Sequence, residues 1–387
     1  MSYRHLTASL FILAAAACVS ERGSAPTSPS FAVGASAVQR YIVVFRDDVR
    51  DVPGLARALA QAHGSAPDFV YEKALHGFAA LLPEQAVAQL GADERVKFIE
   101  PDQEMRAVGQ TLPWGIDRID ADISSTHAGN GSGSVTNVNV YIIDTGIDTG
   151  HPDLNVVQHV NFAGGVNKDC NGHGTHVSGT VAAKDNTQGV VGVVPGAPLH
   201  GVKVLGCGGS GTTSGVIAGI DWVTKNAIKP AVANMSLGGG VSQALDDAVR
   251  SSVATGVVYG VAAGNSGADA CQSSPARAGA GTNNGIITLS AIDQGDNEAS
   301  FSNFGPCVDM AAPGVSILST YKGGGYATLS GTSMASPHAT GTAALYLSTH
   351  PTATPSQVEA QMKLDNGGVS KNSKDASGDP IVYAGKY

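Results

Sequence analysis

The chain has 387 residues, enough for two or three domains or one large domain with an appendage, and its 42% apolar content can build a core while only 14% is charged. A formal net charge of −9 argues against nucleic acid as a partner, because phosphate binding needs clustered Lys and Arg. With 50 glycines the composition is loop-rich and α/β-like rather than disordered.

Arg4 and His5 precede an apolar run from Leu6 to Cys18 that is too short to span a bilayer and has the layout of a secretory signal, so residues 1–18 read as a signal peptide. AAAC at 15–18 also reads as a lipoprotein-type cleavage site with Cys18 as the acylated residue, although Ala15 stands where a larger aliphatic residue is usual; only that modification would attach the chain to a membrane. The Ser/Pro/Gly-rich residues 19–38 read as a linker.

Residues 39–106 form a small unit. RYIVVF reads as a strand, DVPGLARALAQAHG as a helix, FVYEKALHGFAALL as two short strands, PEQAVAQLGAD as a second helix and VKFIEPDQEM as a last strand. That order is ferredoxin-like α+β. From 107 to 387 the character changes. VTNVNVYIID, GAPLHGVKVL, AVANMSLGG, GVVYGVAAGN, GIITLSAI and CVDMAAPG are short apolar runs, separated by helical patterns such as HGTHVSGTVAA, TSGVIAGIDWVTKNA and SQALDDAVRSSVAT. The alternation predicts an α/β fold of three layers, a mostly parallel central sheet covered on both faces. Ligands then sit at the carboxyl ends of the strands.

Four residues at strand ends or helix starts form a chemical set. Asp144 ends VNVYIID, where a buried carboxylate is costly unless paired. His176 lies in NGHGTHVSG at a helix start; His173 lies three residues earlier, and a metal pair is an alternative, but no acid stands between them as in HExxH. Asn265 ends GVVYGVAAGN and can donate to a developing oxyanion. Ser333, in SGTSMASPHATG, sits among small residues at a helix N-terminus, with Pro337 just inside. A hydroxyl becomes a nucleophile when an imidazole takes its proton and a carboxylate holds the imidazole.

The motifs VYIIDTG, NGHGTHVSG, NMSLGGG, AAGN and SGTSMASPHATG, in this order, resemble the subtilisin-like serine proteases, and most closely the proteinase K-like branch. The resemblance covers about residues 107–387. It implies the subtilisin-like fold, with Asp144 as orienter, His176 as general base and acid, Ser333 as nucleophile, and Asn265 with the Ser333 backbone N–H as oxyanion hole. Residues 39–106 resemble the inhibitor-type propeptide of such zymogens, an intramolecular inhibitor and folding aid, with maturation after about Arg106. By the same resemblance Gly209, Ser210 and Gly211, and Ser236, Leu237 and Gly238, flank an extended peptide substrate, and Ala262, Ala263 and Gly264 line the primary specificity pocket. No acid stands there, so broad cleavage after apolar or aromatic residues is expected. Five cysteines are present; apart from Cys18, the remaining Cys170, Cys207, Cys271 and Cys307 allow three pairings, and the resemblance implies Cys170–Cys207 and Cys271–Cys307.

The resemblance also implies structural calcium, held by Asp309 with the Asn284 and Ile286 carbonyls, and a second site at Asp117 and Asp120, where Ala121 replaces an expected amide. No organic cofactor is expected. The chain is expected to be a secreted monomer acting on polypeptides. A catalytically silent peptide-binding or inhibitory relative is the alternative, and an esterase is disfavoured because GxSxG is absent at Ser333.

Overall fold

The computed structural model describes residues 38–102 and 109–387, which fall into two compact units. The signal and linker readings, Cys18 and the maturation point near Arg106 lie outside the described residues.

The first unit runs β1 (Val38–Phe45), α1 (Val52–Ala62), β2 (Phe69–Tyr71), β3 (Gly77–Pro83), α2 (Glu84–Leu90) and β4 (Val96–Pro101). Its sheet is antiparallel in the order β2-β3-β1-β4, the ferredoxin-like arrangement. Strand alternation puts Val43, Phe45, Phe78, Ala80 and Leu82 on one face, against Ala56, Leu59 and Ala60 of α1 and Ala86 and Leu90 of α2. The opposite face carries Phe69, Leu81 and Phe98, 59%, 47% and 47% exposed. Asp51 caps α1 by accepting from the Gly54 N–H at 2.9 Å.

The second unit runs α3 (Trp114–Arg118), β5 (Asn139–Asp144), β6 (Val156–Asn161), α4 (His173–Ala182), β7 (Leu199–Lys203), α5 (Thr213–Asn226), β8 (Ala231–Met235), β9 (Gly239–Gly240), α6 (Gln243–Val253), β10 (Val257–Ala262), β11 (Ser273–Ser274), β12 (Ile286–Ile292), β13 (Met310–Pro313), β14 (Ile317–Tyr321), β15 (Gly325–Leu329), α7 (Thr332–Thr349) and α8 (Pro355–Leu364). Seven strands form one parallel sheet in the order β13-β12-β10-β8-β5-β7-β6. The chain starts at β5, builds outward to β6 and back to β7, then crosses to β8 on the other side. The order therefore reverses between β5 and β8, and the crevice outside their carboxyl ends is where such sheets bind ligands.

Strand β5 shows why its sequence is apolar at every position. Val140 and Ile142 enter the core under α4 and α7, while Tyr141 and Ile143 enter the core under α5 and α6. Strand β6 and the β14–β15 hairpin were not evident as strands in the sequence. β6 is an edge strand with Val157 54% exposed, and the hairpin is short and rich in Ser, Thr and Gly, so neither forms a continuous apolar run.

Helix α7 runs through the protein interior, and small residues let it approach its neighbours: a Cβ at Gly341 would lie 2.6 Å from the Val193 side chain. Pro337 lies within it and has no N–H to give to the carbonyl of residue 333, four positions back. The Ser236 hydroxyl takes that place, donating to the Ser333 carbonyl at 2.7 Å.

Cys170 is bonded to Cys207 and Cys271 to Cys307, across 37 and 36 residues of sequence. The first bridge joins the loop before α4 to the loop after β7, where Asn171 Nδ2 also donates to the Cys207 carbonyl at 3.1 Å. Loop-closure entropy gives a bridge of this span roughly 3–4 kcal/mol. Replacing Cys170 and Cys207 together by Ser should lower the free energy of unfolding by that amount, measured by denaturant titration of tyrosine and tryptophan fluorescence on serine-reagent-inactivated protein.

Candidate active site

The carboxyl end of β5 places Asp144 in the crevice with no exposed surface. Its Oδ1 accepts from the Thr145 N–H at 2.6 Å and from His173 Nδ1 at 2.8 Å. The histidine that meets the carboxylate is therefore His173, and the assignment of the base to His176 is corrected here. His173 is the first residue of α4 and its side chain is 26% exposed, at the mouth of the crevice. His176 lies three residues into the helix, completely buried, and its Nε2 donates to the carbonyls of Ile317 at 3.0 Å and Ala327 at 3.1 Å. It ties α4 to the β14–β15 hairpin. Nor do the two rings form a metal pair, since each has a different partner. The sequence holds one local cue that does not by itself decide between them: His173 stands between Gly172 and Gly174 at the helix start, the same kind of position that Ser333 occupies in α7.

Electrostatics separate the two rings further. Burial lowers the His173 pKa, but the Asp144 charge and hydrogen bond, helped by Asp169, outweigh it, so the net shift is upward. Burial pushes His176 down to about 4, against the pull of its bond to Ile317, and leaves it neutral. Asp169 was missed by sequence reading. Its buried carboxylate accepts from Thr145 Oγ1 at 2.9 Å, from the N–H groups of Asn171, Gly172 and Thr175 at 3.0, 2.8 and 2.9 Å, and from Thr175 Oγ1 at 2.6 Å. It fixes the turn that delivers His173 to Asp144. Close approach matters here too, because a Cβ at Gly174 would lie 2.0 Å from the Gly146 carbonyl oxygen.

Ser333 is the second residue of α7, beside free backbone N–H groups at the positive end of the helix dipole. Its hydroxyl donates to the Ser236 carbonyl at 3.2 Å, reciprocating the bond from Ser236 to its own carbonyl. Asn265 follows β10. Its Oδ1 accepts from the Thr332 N–H at 2.8 Å and Thr332 Oγ1 at 2.9 Å, which turns its Nδ2 the other way. A Cβ built on Gly331 would lie 3.4 Å from that Nδ2 and 3.6 Å from the Ser333 nitrogen, so both donors border one small space.

Two cavities flank residues 236–239. One, of about 360 Å³, is lined by His173, Gly209, Ser210, Gly211, Ser236, Leu237 and Gly238. The other, of about 270 Å³, is lined by Ala262, Ala263, Gly264, Asn265, Asn303 and Ser333. Asn303 was also missed by sequence reading. Its Nδ2 donates to the Ala263 carbonyl at 2.9 Å and its Oδ1 accepts from the Ser266 and Ala268 N–H groups at 3.0 and 3.1 Å, shaping the wall of the second cavity.

The calcium expectations do not fit the residues present. Asp309 Oδ1 is 2.7 Å from Lys363 Nζ, which is also 2.6 Å from Glu359 Oε1, so an ammonium holds the carboxylate expected to bind calcium. At the second expected site the Ala121 methyl, which stands where an amide was expected, is buried in the core. Asp117 and Asp120 thus supply at most two side-chain ligands. Among the described residues no group of three or more His, Cys, Asp or Glu is placed to hold a metal ion.

A buried Asp–His pair, a serine at a helix N-terminus and an amide aimed beside it are the parts of a serine hydrolase, set at the switch point of a parallel sheet. The chain belongs to the subtilase family of peptidases: the Subtilase family model matches residues 136–376, and the Peptidase inhibitor I9 model matches residues 40–107. It is 42% identical to an extracellular serine proteinase of Thermus sp. (strain Rt41A), over 97% of either chain. It is 48% identical to subtilisin DY of Bacillus licheniformis, over 65% of this chain and 90% of that one. A solved structure of a cold adapted subtilisin-like serine proteinase matches at 42% identity with a TM-score of 0.61, covering 70% of this chain and 97% of that chain. The protein is a serine proteinase with an I9 propeptide.

His173→Ala should lower kcat by about 10⁶, the size known for subtilisin itself. His176→Gln should keep kcat within about tenfold while lowering Tm, since buried hydrogen bonds worth roughly 1–3 kcal/mol are disturbed. Kinetics on a peptide anilide and thermal unfolding of the same preparations check both. The base must be neutral to act, so kcat/KM should fall as pH falls through the His173 pKa, with a midpoint above the ordinary 6.5. Asp144→Asn should move that midpoint down. The pair stabilises the fold fully below pH 6.5, and this contribution is lost as pH rises through the raised value.

Proposed function

We propose that the protein is an exported endopeptidase of broad specificity, made as a zymogen, with Ser333 as nucleophile, His173 as general base and acid, and Asp144 as its orienter. The observation that carries this reading is the 2.8 Å bond from His173 Nδ1 to Asp144, which leaves Nε2 as the ring nitrogen free to serve the serine. A peptide enters extended and adds as a strand beside residues 209–211 and 236–238, which puts the scissile carbonyl at Ser333. Ser333 Oγ turns from the Ser236 carbonyl and attacks the carbonyl carbon while His173 Nε2 takes its proton. The oxyanion accepts from Asn265 Nδ2 and the Ser333 N–H. His173 returns the proton to the leaving amine as the C–N bond breaks, leaving an acyl-enzyme. A water, deprotonated by the same ring, then releases the acid and restores Ser333.

Specificity follows from the second cavity. It is uncharged and of a size for a large apolar or aromatic side chain before the scissile bond. Export is supported by the N-terminal pattern, by the two disulfides and by the extracellular relative.

A sulfonyl fluoride should leave one adduct, mapped to Ser333 by peptide mass, and abolish cleavage; an intact, unlabelled Ser333 in a protein that still binds peptides would instead mean a silent peptide binder. Asn265→Ala should lower kcat by about 10²–10³, as known for subtilisin. At Gly264 the backbone has φ +108 and a Cβ would meet Asn303 Nδ2 at 2.4 Å. Gly264→Ala should therefore reduce kcat/KM for a Phe substrate relative to an Ala substrate by roughly 10–200-fold; equal loss for both would rule out this cavity as the specificity pocket.

A further inference from the structure

Two acidic side chains meet where α8 packs against β12. Asp309 is 9% exposed and Glu359 is fully buried. Each uses one oxygen to hold backbone of the 285–288 segment. Asp309 Oδ2 accepts from the Thr288 N–H at 2.9 Å, and Glu359 Oε2 accepts from the Gly285 N–H at 2.6 Å. The other oxygen of each faces Lys363 Nζ, at 2.7 and 2.6 Å. Glu359 and Lys363 are one turn apart on α8, so the helix itself delivers the ammonium. Its start is fixed by a capping box of Thr354 and Gln357, and Pro355 packs on Gly285, where a Cβ would lie 2.4 Å from the proline ring.

We propose that Lys363 is the permanent cation of this site, built into the chain in place of a divalent metal, and that the Asp309 site takes no calcium. Calcium would sit 2.3–2.6 Å from carboxylate oxygens, which is the volume the ammonium already fills. Two buried carboxylates need a cation, because their mutual repulsion and desolvation are otherwise uncompensated. A lysine meets that need with three donors on a tether that cannot be lost to a chelator. The segment it steadies begins β12, which pairs with β10; β10 in turn leads into Ala262–Asn265 of the cavity wall. The local rigidity that supports the pocket thus comes from an internal ion pair.

The test uses the purified protein, inactivated by a serine reagent so that autolysis does not interfere. In crystals soaked in millimolar calcium, the anomalous map should show no calcium within bonding distance of Asp309, with Lys363 Nζ in place. A peak there with Lys363 displaced would overturn the proposal. In solution, wild type and Asp309→Asn should show the same change in Tm between EDTA and calcium; a response present in wild type and absent in Asp309→Asn would also overturn it. Lys363→Met should lower Tm in EDTA by roughly 5–10 °C, as one partner of a buried ionic cluster is removed, and an unchanged Tm would count against the ammonium's role. If that variant does not mature, Lys363→Arg, which keeps a cation, should mature, and the crystal result on wild type still decides.

Discussion

A carboxylate at the end of a fully buried strand has to be paired, and the arrangement of Asp144 organises the catalytic crevice. Its Oδ1 gathers the Thr145 N–H and His173 Nδ1, while its backbone carbonyl accepts from the Val204 and Leu205 N–H groups and so binds β5 to the loop after β7. Asp169 fastens the other side of the turn, from Thr145 to Thr175. The imidazole is thus positioned by two acids with different tasks: one touches it, and the other shapes the backbone that carries it. This is preorganisation in structural form, since nothing in the turn needs to reorder when charge develops.

The same logic governs the serine. Pro337 removes an N–H from α7, and the freed Ser333 carbonyl is taken up by Ser236, whose own carbonyl holds the Ser333 hydroxyl. Ser236 Oγ also accepts from Asn234 Nδ2 at 2.9 Å. A helix imperfection therefore becomes a two-way tie between the nucleophile and the strand along which substrate is proposed to lie. The small residues of SGTSMASPHATG serve packing as much as access, because the helix they open is buried along nearly its whole length.

With few charges to use, the chain places several as internal cross-links. Lys203 is 1% exposed at the end of β7 and donates to the Thr145 and Leu205 carbonyls at 2.7 and 2.9 Å; burial pulls its pKa down while Asp169 and Asp144 pull it up. Lys374 bridges Glu298 at 3.0 Å and the Ser302 carbonyl at 2.8 Å. Lys363 belongs to this group. Each ammonium closes a loop end near the strand termini, where parallel sheets leave polar backbone groups to be satisfied.

Much of this was legible in the sequence. Apolar runs such as VYII, buried on both faces, could only be central strands, and the groups at their ends had to face the crevice. Asp144, Asn265 and Ser333 were accessible to that reasoning because each stands at a strand end or in the first turn of a helix. The choice between His173 and His176 was not, because three residues along a helix turn a side chain by about 60°, and whether that aims it at Asp144 or at the hairpin depends on where the hairpin packs. Likewise, nothing local to Asp309 announces a lysine 54 residues later in the chain. The sequence by itself determined the central strands and the helices, their order and the chemical types available at each strand end, since these follow from local periodicity and capping. The tertiary structure alone decided which imidazole meets the acid and which cation fills the Asp309 site, because hydrogen bonds and ion pairs fall off over a few ångströms and their partners come from separate elements.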